Sequence, residues 1–353
     1  MKKRFLGGEL FFSPASIFQQ KKFDLALYLR KRYPGKAFIY TGGGYYSLIH
    51  ILKNSGFKEN DRVLLPSYLC LSVLLPFQKL GLRYDFYQID SSLEIDLHSL
   101  EKKLDNDIRL ILFINYFGFP HSAEVLQFLN NLRGPIILED CVHSFFSSFE
   151  NIGDYLMNSF RKFLPFDGSV IVASRPIDKK VRGTYLKYRL LKVGGQLLRY
   201  AYFVLGMDTK KLFLKLLTLS EKRYYEYASV SFPIFSKMMI QKMDIPKMIR
   251  QRRTGYQRLL SRFKEIAIFK QLPDNVVPLG FPVQIEQRDA VRKELIKKNI
   301  FCPIHWVLPE GFRSQGYSRS NAISSRIITI PLSQEITEDH LFILEKALGG
   351  ISS

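Results

Sequence analysis

The sequence has few cysteines, and their placement argues against two kinds of covalent or metal support. Only three occur among 353 residues, and Cys70, Cys141 and Cys302 lie far apart, outside any CxxC pair. No group of cysteines and histidines has the spacing of a zinc site, so we expect no structural metal. A low, odd cysteine count also suits a reducing compartment, where disulfides do not persist.

Long apolar runs are missing as well. The most apolar stretch, residues 63–77, is interrupted by Pro66 and Pro76 and is shorter than a membrane span. The first residues carry positive charge but lack the apolar segment of a signal peptide. These features predict a soluble, cytoplasmic protein.

Acidic residues are scarce relative to basic ones, with 32 Asp and Glu against 52 Lys and Arg, a formal charge of +20. The excess favours anionic partners without choosing among phosphorylated metabolites, nucleic acid and membrane surfaces. Residues 175–250 contribute most of it, with 17 basic and 5 acidic residues. Their helical spacing predicts amphipathic helices that pack on the sheet or on a second subunit with basic outer faces. A contact with an anionic membrane surface or a polyanion is the alternative.

From about residue 36, short apolar strands alternate with helices of about ten residues. This rhythm is typical of a mostly parallel, doubly wound α/β sheet. We expect a lead-in over 1–36, a large domain over 37–245 and a small α+β domain over 246–353.

An acid and a lysine are candidates for chemistry in the middle of the chain. Asp140 ends the apolar strand PIILED, and Lys162 follows Arg161 between two later strand-like runs. Ligand contacts in open α/β sheets lie at the carboxyl ends of strands. Asp140 would suit a cationic ring nitrogen, although an N-cap or a surface ion pair fits equally well. Desolvation beside a cation lowers the pKa of a lysine, which can then form a Schiff base. In a chain with so many lysines, residue type alone does not favour this role for Lys162.

Other candidates have plain structural alternatives. The glycines 42–44 separate a strand from a helix, so their N–H groups could hold a phosphate or form a tight turn. No GK[ST] follows, and GxGxxG is incomplete, which argues against a Walker loop and a Rossmann fingerprint. Ser159 could bind phosphate or face solvent. His143 could contact a ligand or be structural, and His305, beside the only Trp, could serve packing alone.

Several segments resemble, in order, the DegT/DnrJ/EryC1/StrS family of sugar aminotransferases, which have the pyridoxal-phosphate fold type I. TGGGYYSL is similar to the family's phosphate turn, typically SGTxAL, and DRVLLPSYLCLS to its GDEVIVPSFTF segment. ILEDCVHS is similar to viEDaAqa, IGDYLMNSFRK to the GD…SF…K block, and RIITIPLSQEITEDHL to lslPl.p.lt.edi. The resemblance extends from about Thr41 to Leu348.

The resemblance implies a mostly parallel seven-stranded sheet with flanking helices and a small C-terminal α+β domain. It also implies pyridoxal 5'-phosphate as cofactor. By matched position, Lys162 would be the Schiff-base lysine, Asp140 would bind the pyridine nitrogen, and His143 would lie beside the ring.

The cofactor phosphate would be held by Ser159 and by the N–H groups of Gly43 and Gly44, where Gly43 replaces the family's threonine. The aromatic residue that usually stacks on the ring aligns near Cys70, so either Tyr68 takes over that role or no residue does.

The reaction implied is transfer of an amino group, often from glutamate, to a keto-sugar nucleotide or a related carbonyl compound. Asn115, Tyr116 and His305 would contact substrate. A homodimer with shared active sites is also implied, although the partner-subunit motif NyRm is replaced by SVSFPIFSKMM. The sequence does not name the sugar, the amino donor or the pathway.

Two alternatives remain open at this point. The same fold and cofactor could support a decarboxylase or a lyase. The chain could also be a non-catalytic family member that binds an anionic surface through residues 175–250; no nucleic-acid partner is expected.

Overall fold

The computed structural model describes residues 5–227, 229–308 and 316–348. Its strands are β1 (Leu6–Gly7), β2 (Ala37–Thr41), β3 (Arg62–Pro66), β4 (Arg83–Tyr87), β5 (Ile108–Ile114), β6 (Ile136–Asp140), β7 (Tyr155–Met157), β8 (Ser169–Ala173), β9 (Gly280–Gln284), β10 (Ile300–Phe301) and β11 (Ile327–Pro331). Its helices are α1 (Leu25–Arg32), α2 (Gly44–Asn54), α3 (Leu71–Lys79), α4 (Leu97–Glu101), α5 (Ala123–Asn131), α6 (Leu186–Val204), α7 (Lys210–Tyr224), α8 (Ile234–Ile240), α9 (Ile245–Phe263), α10 (Arg288–Lys297), α11 (Ser318–Arg326) and α12 (Glu338–Leu348).

A seven-stranded sheet in the order β2-β8-β7-β6-β5-β3-β4 forms the centre of the fold. Strand β8 is antiparallel to β2 and β7, whereas the pairs from β7 to β4 are parallel. The sequence prediction of a mostly parallel seven-stranded sheet is therefore confirmed. Strand β5 is almost wholly apolar because helices cover both faces of such a sheet.

The C-terminal lobe contains two small sheets. Strand β9 pairs antiparallel with β11, and β10 pairs in parallel with β1 from the start of the chain. The predicted lead-in is thus joined to the C-terminal lobe by backbone hydrogen bonds, and the boundaries at 36 and 245 stay a prediction. Helix α12 begins after Thr337, whose hydroxyl accepts a hydrogen bond from the His340 amide at 3.3 Å.

One helix begins later than its apolar pattern predicts. The pattern favours a helix from Tyr68, but α3 starts at Leu71. The Ser67 amide still donates to the Tyr87 carbonyl of β4 at 2.8 Å, so the chain stays extended there.

Helices α6 and α7 form an antiparallel pair, called here the helical hairpin. The prediction that basic residues lie outside holds for α7, whose exposed row contains Lys211, Lys215 and Lys222, but not for α6. Lys192 and Arg199 of α6 are buried, while Leu186, Leu190 and Leu197 are exposed. Lys192 is buried because it forms ion pairs with two carboxylates, Glu9 near the start of the chain and Glu221 of α7. Among the described residues, no helix is both long and apolar enough to cross a membrane.

Candidate active site

A cavity of about 110 Å³ opens at the carboxyl ends of three neighbouring strands. Ile114, Asp140 and Met157 end β5, β6 and β7, stand side by side in the sheet register, and all line this cavity. This is the position where parallel α/β sheets present ligand-binding groups. We call it the first cavity.

Asp140 presents a strongly perturbed carboxyl group to the first cavity. One carboxylate oxygen accepts a hydrogen bond from the Val142 amide at 2.8 Å. Burial raises the pKa of Asp140 to about 7, against the opposing effects of that hydrogen bond and of the Lys162 charge. A buried carboxyl with this pKa is well suited to pair with a cationic ligand group.

Lys162 also lines the first cavity, from a short 3-10 helix after β7. Its ammonium group forms no ion pair with a residue that the structure describes. Burial lowers the pKa of Lys162 from its ordinary value, and Arg161 lowers it further, while Cys70 and Asp140 oppose the shift. A lysine in this state is a candidate nucleophile and base.

The glycine turn before α2 is fixed to the floor of the first cavity by buried hydroxyl groups. Ser47 lies 2.7 Å from Thr41 and 2.7 Å from Ser169, and the Ser169 hydroxyl donates to the Asn158 carbonyl at 2.5 Å. A Cβ at Gly44 would come within 3.1 Å of that carbonyl. The turn therefore brings the N-terminus of α2, with its free N–H groups, to the cavity wall.

Tyr224 of α7 closes the cavity beside this turn. Its hydroxyl oxygen lies 1.9 Å from where a Cβ on Gly43 would stand, so position 43 has no room for a side chain. The side chain is 2% exposed, and its hydroxyl makes no hydrogen bond to a described residue. Burial raises the pKa of Tyr224, which keeps the hydroxyl protonated and available as a donor. Ser159 begins the 3-10 helix and lines the same cavity. Its hydroxyl makes no capping hydrogen bond to that helix and is a second candidate donor.

The rings of His143 and Trp306 form another wall of the first cavity. His143 and Trp306 stack with centroids 5.3 Å apart and planes 27° apart, and both line the first cavity. Burial lowers the pKa of His143 well below its ordinary value, so the ring is neutral. Its Nδ1 accepts a hydrogen bond from the Phe117 amide at 3.4 Å, whereas its Nε2 is buried without a partner. Such an orphaned nitrogen is what a ligand group would satisfy.

A second cavity of about 380 Å³ lies on the other side of Lys162, against the C-terminal lobe. Arg252, Arg292 and His305 line it together with Lys162. Arg252 is 2% exposed, and its guanidinium donates to the carbonyls of Pro278 and Leu279 but has no carboxylate partner among the described residues. Burial lowers the pKa of Arg252 to about 10. A buried cation without a counter-ion favours an anionic ligand in this cavity.

The inner face of the helical hairpin roofs a third cavity, which also touches Lys162. Arg161 pairs with Glu221 of α7 at 3.1 Å and lies 4.6 Å from the ring centroid of Tyr224. Lys192 of α6 reaches the same glutamate at 3.2 Å. The hairpin is therefore part of the site rather than a cover on the far side of the sheet.

Three residues expected at the site lie behind it. Tyr68 is fully buried and packs on Tyr116, and neither lines any of the three cavities. The Asn115 amide donates to Glu139 at 2.7 Å, on the face of the sheet opposite Asp140. Cys70, aligned with the family's stacking aromatic, does line the first cavity.

Sequence reasoning assigned no role in the active site to Tyr224, Arg252 or the hairpin. Tyr224 is 181 positions from the glycine that it touches, and Arg252 belongs to an ordinary amphipathic helix. The one available signal was the glycine at position 43, where the family's pattern has threonine. A missing side chain in a phosphate turn indicates that another residue occupies its place.

Comparisons with known proteins match part of the chain to one family. Residues 25–164 match the model of the DegT/DnrJ/EryC1/StrS aminotransferase family, a segment that contains Asp140, His143, Ser159 and Lys162. The chain is also 30% identical over 115 residues to GDP-4-keto-6-deoxy-D-mannose 3-dehydratase of Escherichia coli O55:H7 (strain CB9615 / EPEC). That match covers 31% of this chain and only 30% of the relative's length.

Solved structures are similar over nearly the whole chain. Aminotransferase TlmJ from Streptoalloteichus hindustanus superposes with a TM-score of 0.68 at 16% identity, covering 100% of both chains. The E. coli GDP-4-keto-6-deoxy-D-mannose-3-dehydratase with bound hydrated PLP gives 0.67 at 16% identity, covering 97% of this chain and 99% of that chain. At such identities the superpositions establish the fold, which is that of pyridoxal-phosphate enzymes of fold type I.

Proposed function

We propose that this chain is a member of the DegT/DnrJ/EryC1/StrS aminotransferase family and a pyridoxal-phosphate-dependent aminotransferase with Lys162 as its catalytic residue. The observation that carries the proposal is the meeting of Asp140, Lys162 and the glycine turn in one cavity at the carboxyl ends of β5, β6 and β7. When bound, the cofactor supplies an aldehyde that accepts amino groups and a pyridinium ring that stabilises negative charge on a neighbouring carbon.

The residues of the first cavity fit that group. Asp140 offers a buried carboxyl that a pyridinium nitrogen would hold in its ionised form. His143 offers an unpartnered Nε2 to a ring substituent. Val142, which also lines the cavity, offers an apolar contact to the ring.

The phosphate would lie at the N-terminus of α2. The Gly44 amide and the Ser159 hydroxyl would donate to it, as the family's pattern implies. We assign a further donor to Tyr224, because its hydroxyl fills the place that a side chain at position 43 would take. A buried, protonated phenol is a strong donor to a phosphate oxygen.

The Lys162 Nζ atom would hold the cofactor at its aldehyde and would accept or donate a proton at a carbon atom of the bound substrate. Burial and the charge on Arg161 lower its pKa, which makes the neutral amine easier to form. Glu221 holds Arg161 in place beside it. Residues of the hairpin and Trp306 line the cavities beside it.

The second cavity suits the amino donor. A donor such as glutamate carries its α-carboxylate on the reacting carbon, so the carboxylate must lie next to Lys162. Arg252 and Arg292 line this cavity with Lys162, and neither has a carboxylate partner among the described residues. His305, expected from sequence to contact substrate, is in the same wall. The acceptor is proposed to be a keto-sugar nucleotide or a related carbonyl compound.

An absorption spectrum tests the proposal directly. Purified protein supplied with pyridoxal phosphate should show a visible band that borohydride removes while fixing the cofactor to Lys162. Glutamate should shift the band to that of the aminated cofactor. A Lys162→Ala protein whose spectrum responds as the wild type does would overturn the assignment.

A second candidate keeps the cofactor but changes the reaction. The relative that is 30% identical over 115 residues is named a dehydratase, which favours a lyase as the alternative. The glutamate half-reaction does not by itself exclude this, so the products with a keto-sugar nucleotide must also be identified. An aminated sugar supports the aminotransferase, and a deoxygenated sugar without nitrogen supports the dehydratase.

Homodimerisation and a cytoplasmic location are also proposed. The first is supported by the resemblance to the family, which implies active sites shared between subunits, and the second by the low, odd cysteine count. Light scattering on the purified protein would determine the first, and fractionation of cells would determine the second.

A further inference from the structure

The outer face of α6 is apolar although it faces solvent. Leu186, Leu190 and Leu197 are 59%, 66% and 41% exposed, and their spacing of four and seven residues places them in one stripe. The opposite face buries Tyr188, Lys192, Gln196, Arg199 and Phe203. The helix is thus inverted relative to an ordinary surface helix, with its polar groups inside.

The outer face of α7 adds basic residues to this stripe. Lys211, Lys215 and Lys222 lie in one exposed row, and Leu212 and Leu219, 50% and 39% exposed, flank them. The buried side of α7 carries Phe213, Leu217, Ser220 and Tyr224. Leucines and lysines therefore share the outer surface of the hairpin.

Exposed apolar side chains are concentrated in the hairpin. Of the sixteen large apolar side chains that are exposed in the described residues, eight lie between Leu186 and Leu219, including Leu205 and Met207 in the connecting loop. A contiguous exposed apolar surface of this kind marks an interaction site.

We propose that the outer face of the helical hairpin binds an anionic lipid bilayer. The leucines would insert at the level of the headgroups, and the lysines would contact anionic phosphates, as in amphipathic helices that lie in the membrane interface. Residues 186–224 contain nine Lys and Arg against two acidic residues, so the sign of the charge matches that of such a surface.

Charge also argues against the other occupants of this face. A second copy of the chain docked through the same face would bring its lysine row towards another lysine row, which is repulsive. Nucleic acid would satisfy the lysines but would leave the leucine stripe in water. A bilayer with anionic headgroups satisfies both.

The arrangement would also place the active site close to the bilayer. The inner faces of the same two helices line the cavities beside Lys162. A bilayer bound to the outer face would therefore lie about one helix diameter, roughly 10 Å, from those cavities.

Sedimentation of the whole protein with vesicles tests the proposal. The probes are phosphatidylcholine vesicles with and without phosphatidylglycerol, at low and at high salt. We expect binding to the anionic vesicles only, weakened by salt because the headgroup attraction is screened. The double variant L190E/L197E should bind at least about tenfold more weakly, because each new carboxylate is repelled and each lost leucine no longer inserts.

Phe342→Glu is the matched control. Phe342 is 68% exposed on α12, outside the hairpin, so its variant should bind vesicles as the wild type does. Circular dichroism must show that all variants are folded. Failure of the wild type to sediment with anionic vesicles at low salt would overturn the proposal, as would equal binding by L190E/L197E. A fall in molecular mass in the same double variant, without any vesicle binding by the wild type, would assign the face to a second copy instead.

Discussion

At the scale of residues, the alternation of side chains along a strand decides which candidates reach the cavity. Ile114 and Asp140 end adjacent strands and face the first cavity, whereas Asn115 and Glu139, one position away, meet on the opposite side. The sequence shows that a carboxylate ends β6, but it does not show which face of the sheet carries the ligand.

Most of the residues that sequence reasoning could name come from one short segment. Asp140, His143, Ser159 and Lys162 all line the first cavity, and each follows a strand end within a few positions. Tyr224 approaches the same cavity from a helix far along the chain, and no local pattern could indicate that. Contacts of this kind depend on tertiary packing, which the spacing of apolar residues along the sequence does not show.

Replacing Tyr224 by Phe tests its assignment as a phosphate donor. The change removes one hydroxyl and keeps the ring that lies over Arg161. A hydrogen bond to a charged group contributes about 1.5–3 kcal/mol, so the dissociation constant of pyridoxal phosphate should rise about tenfold or more. Titration of the apoprotein, followed by the visible absorbance, measures this.

Tyr227→Phe is the control for that experiment. Tyr227 packs against the same group of tyrosines but does not line the first cavity, so its variant should keep wild-type affinity. An unchanged dissociation constant in Tyr224→Phe would remove the phenol from the phosphate site.

The pKa of Asp140 predicts a pH dependence of stability in the apoprotein. Burial raises the pKa of this carboxyl from 3.8 to about 7. Ionisation is therefore harder in the folded than in the unfolded chain, and stability present below pH 4 is lost as the pH rises through about 7. The loss has an upper limit of roughly 4 kcal/mol, since each pKa unit corresponds to about 1.4 kcal/mol.

Asp140→Asn should remove this effect, because the amide is neutral at every pH. Urea unfolding of the two apoproteins between pH 4 and pH 8 gives the comparison. We expect the free energy of unfolding of the wild type to fall relative to that of the variant across this range. Parallel pH profiles would show that the carboxyl is already ionised and stabilised in the fold.

At the scale of elements, the helical hairpin shows why the direction of a face cannot be predicted from its pattern. The segment's periodicity predicts two amphipathic helices, and two helices are present. Which stripe turns inward depends on Glu9, which meets Lys192 from the start of the chain. That long-range ion pair reverses the usual arrangement and leaves leucines outside.

Two adjacent glycines in α6 give a prediction about the hairpin. A Cβ on Gly195 would lie 2.7 Å from the Leu217 side chain of α7, whereas one on Gly194 would lie 3.5 Å from Leu216. Gly195→Ala should therefore separate the helices and destabilise the fold by about 1–3 kcal/mol. Gly194→Ala should be neutral or stabilise it by up to about 1 kcal/mol, because alanine favours the helix.

Thermal and urea unfolding of the two variants measures the difference. Binding of pyridoxal phosphate should weaken only in Gly195→Ala, because Tyr224 and Glu221 of α7 line the cavities. Equal stability of the two variants would mean that the helices pack more loosely than the structure shows.

At the scale of the whole molecule, the cavities lie where the lobes meet. Strand β1 joins the start of the chain to β10, and Glu9, two residues later, contacts the hairpin. Sequence periodicity predicted a large and a small unit, but the residues that close the site come from both of them and from the first ten positions. Such closure depends on contacts between segments that are hundreds of positions apart.

Arg252 provides the test at this scale, because it links the two lobes. Its guanidinium lies 4.8 Å from the ring centroid of Phe163, next to Lys162, and donates to the carbonyl of Leu279 at 2.7 Å. Arg252→Met keeps an apolar contact with that ring but removes the positive charge from the second cavity. If the cavity binds the donor's carboxylate, the apparent affinity for glutamate and for 2-oxoglutarate should fall at least about tenfold.

Arg253→Met is the matched control for this change. Arg253 also donates to backbone carbonyls, those of Pro273 and Val276, but it pairs with Asp274 at the surface and does not line the cavity. Calorimetric titration of 2-oxoglutarate into the wild type and both variants, with inorganic pyrophosphate as a second ligand, separates the outcomes. Loss of 2-oxoglutarate binding in Arg252→Met alone supports a carboxylate site. Loss of pyrophosphate binding alone would assign the cavity to the phosphates of the acceptor. Equal losses in both arginine variants would make the role of Arg252 structural, because each arginine would then act only through its hydrogen bonds to backbone carbonyls.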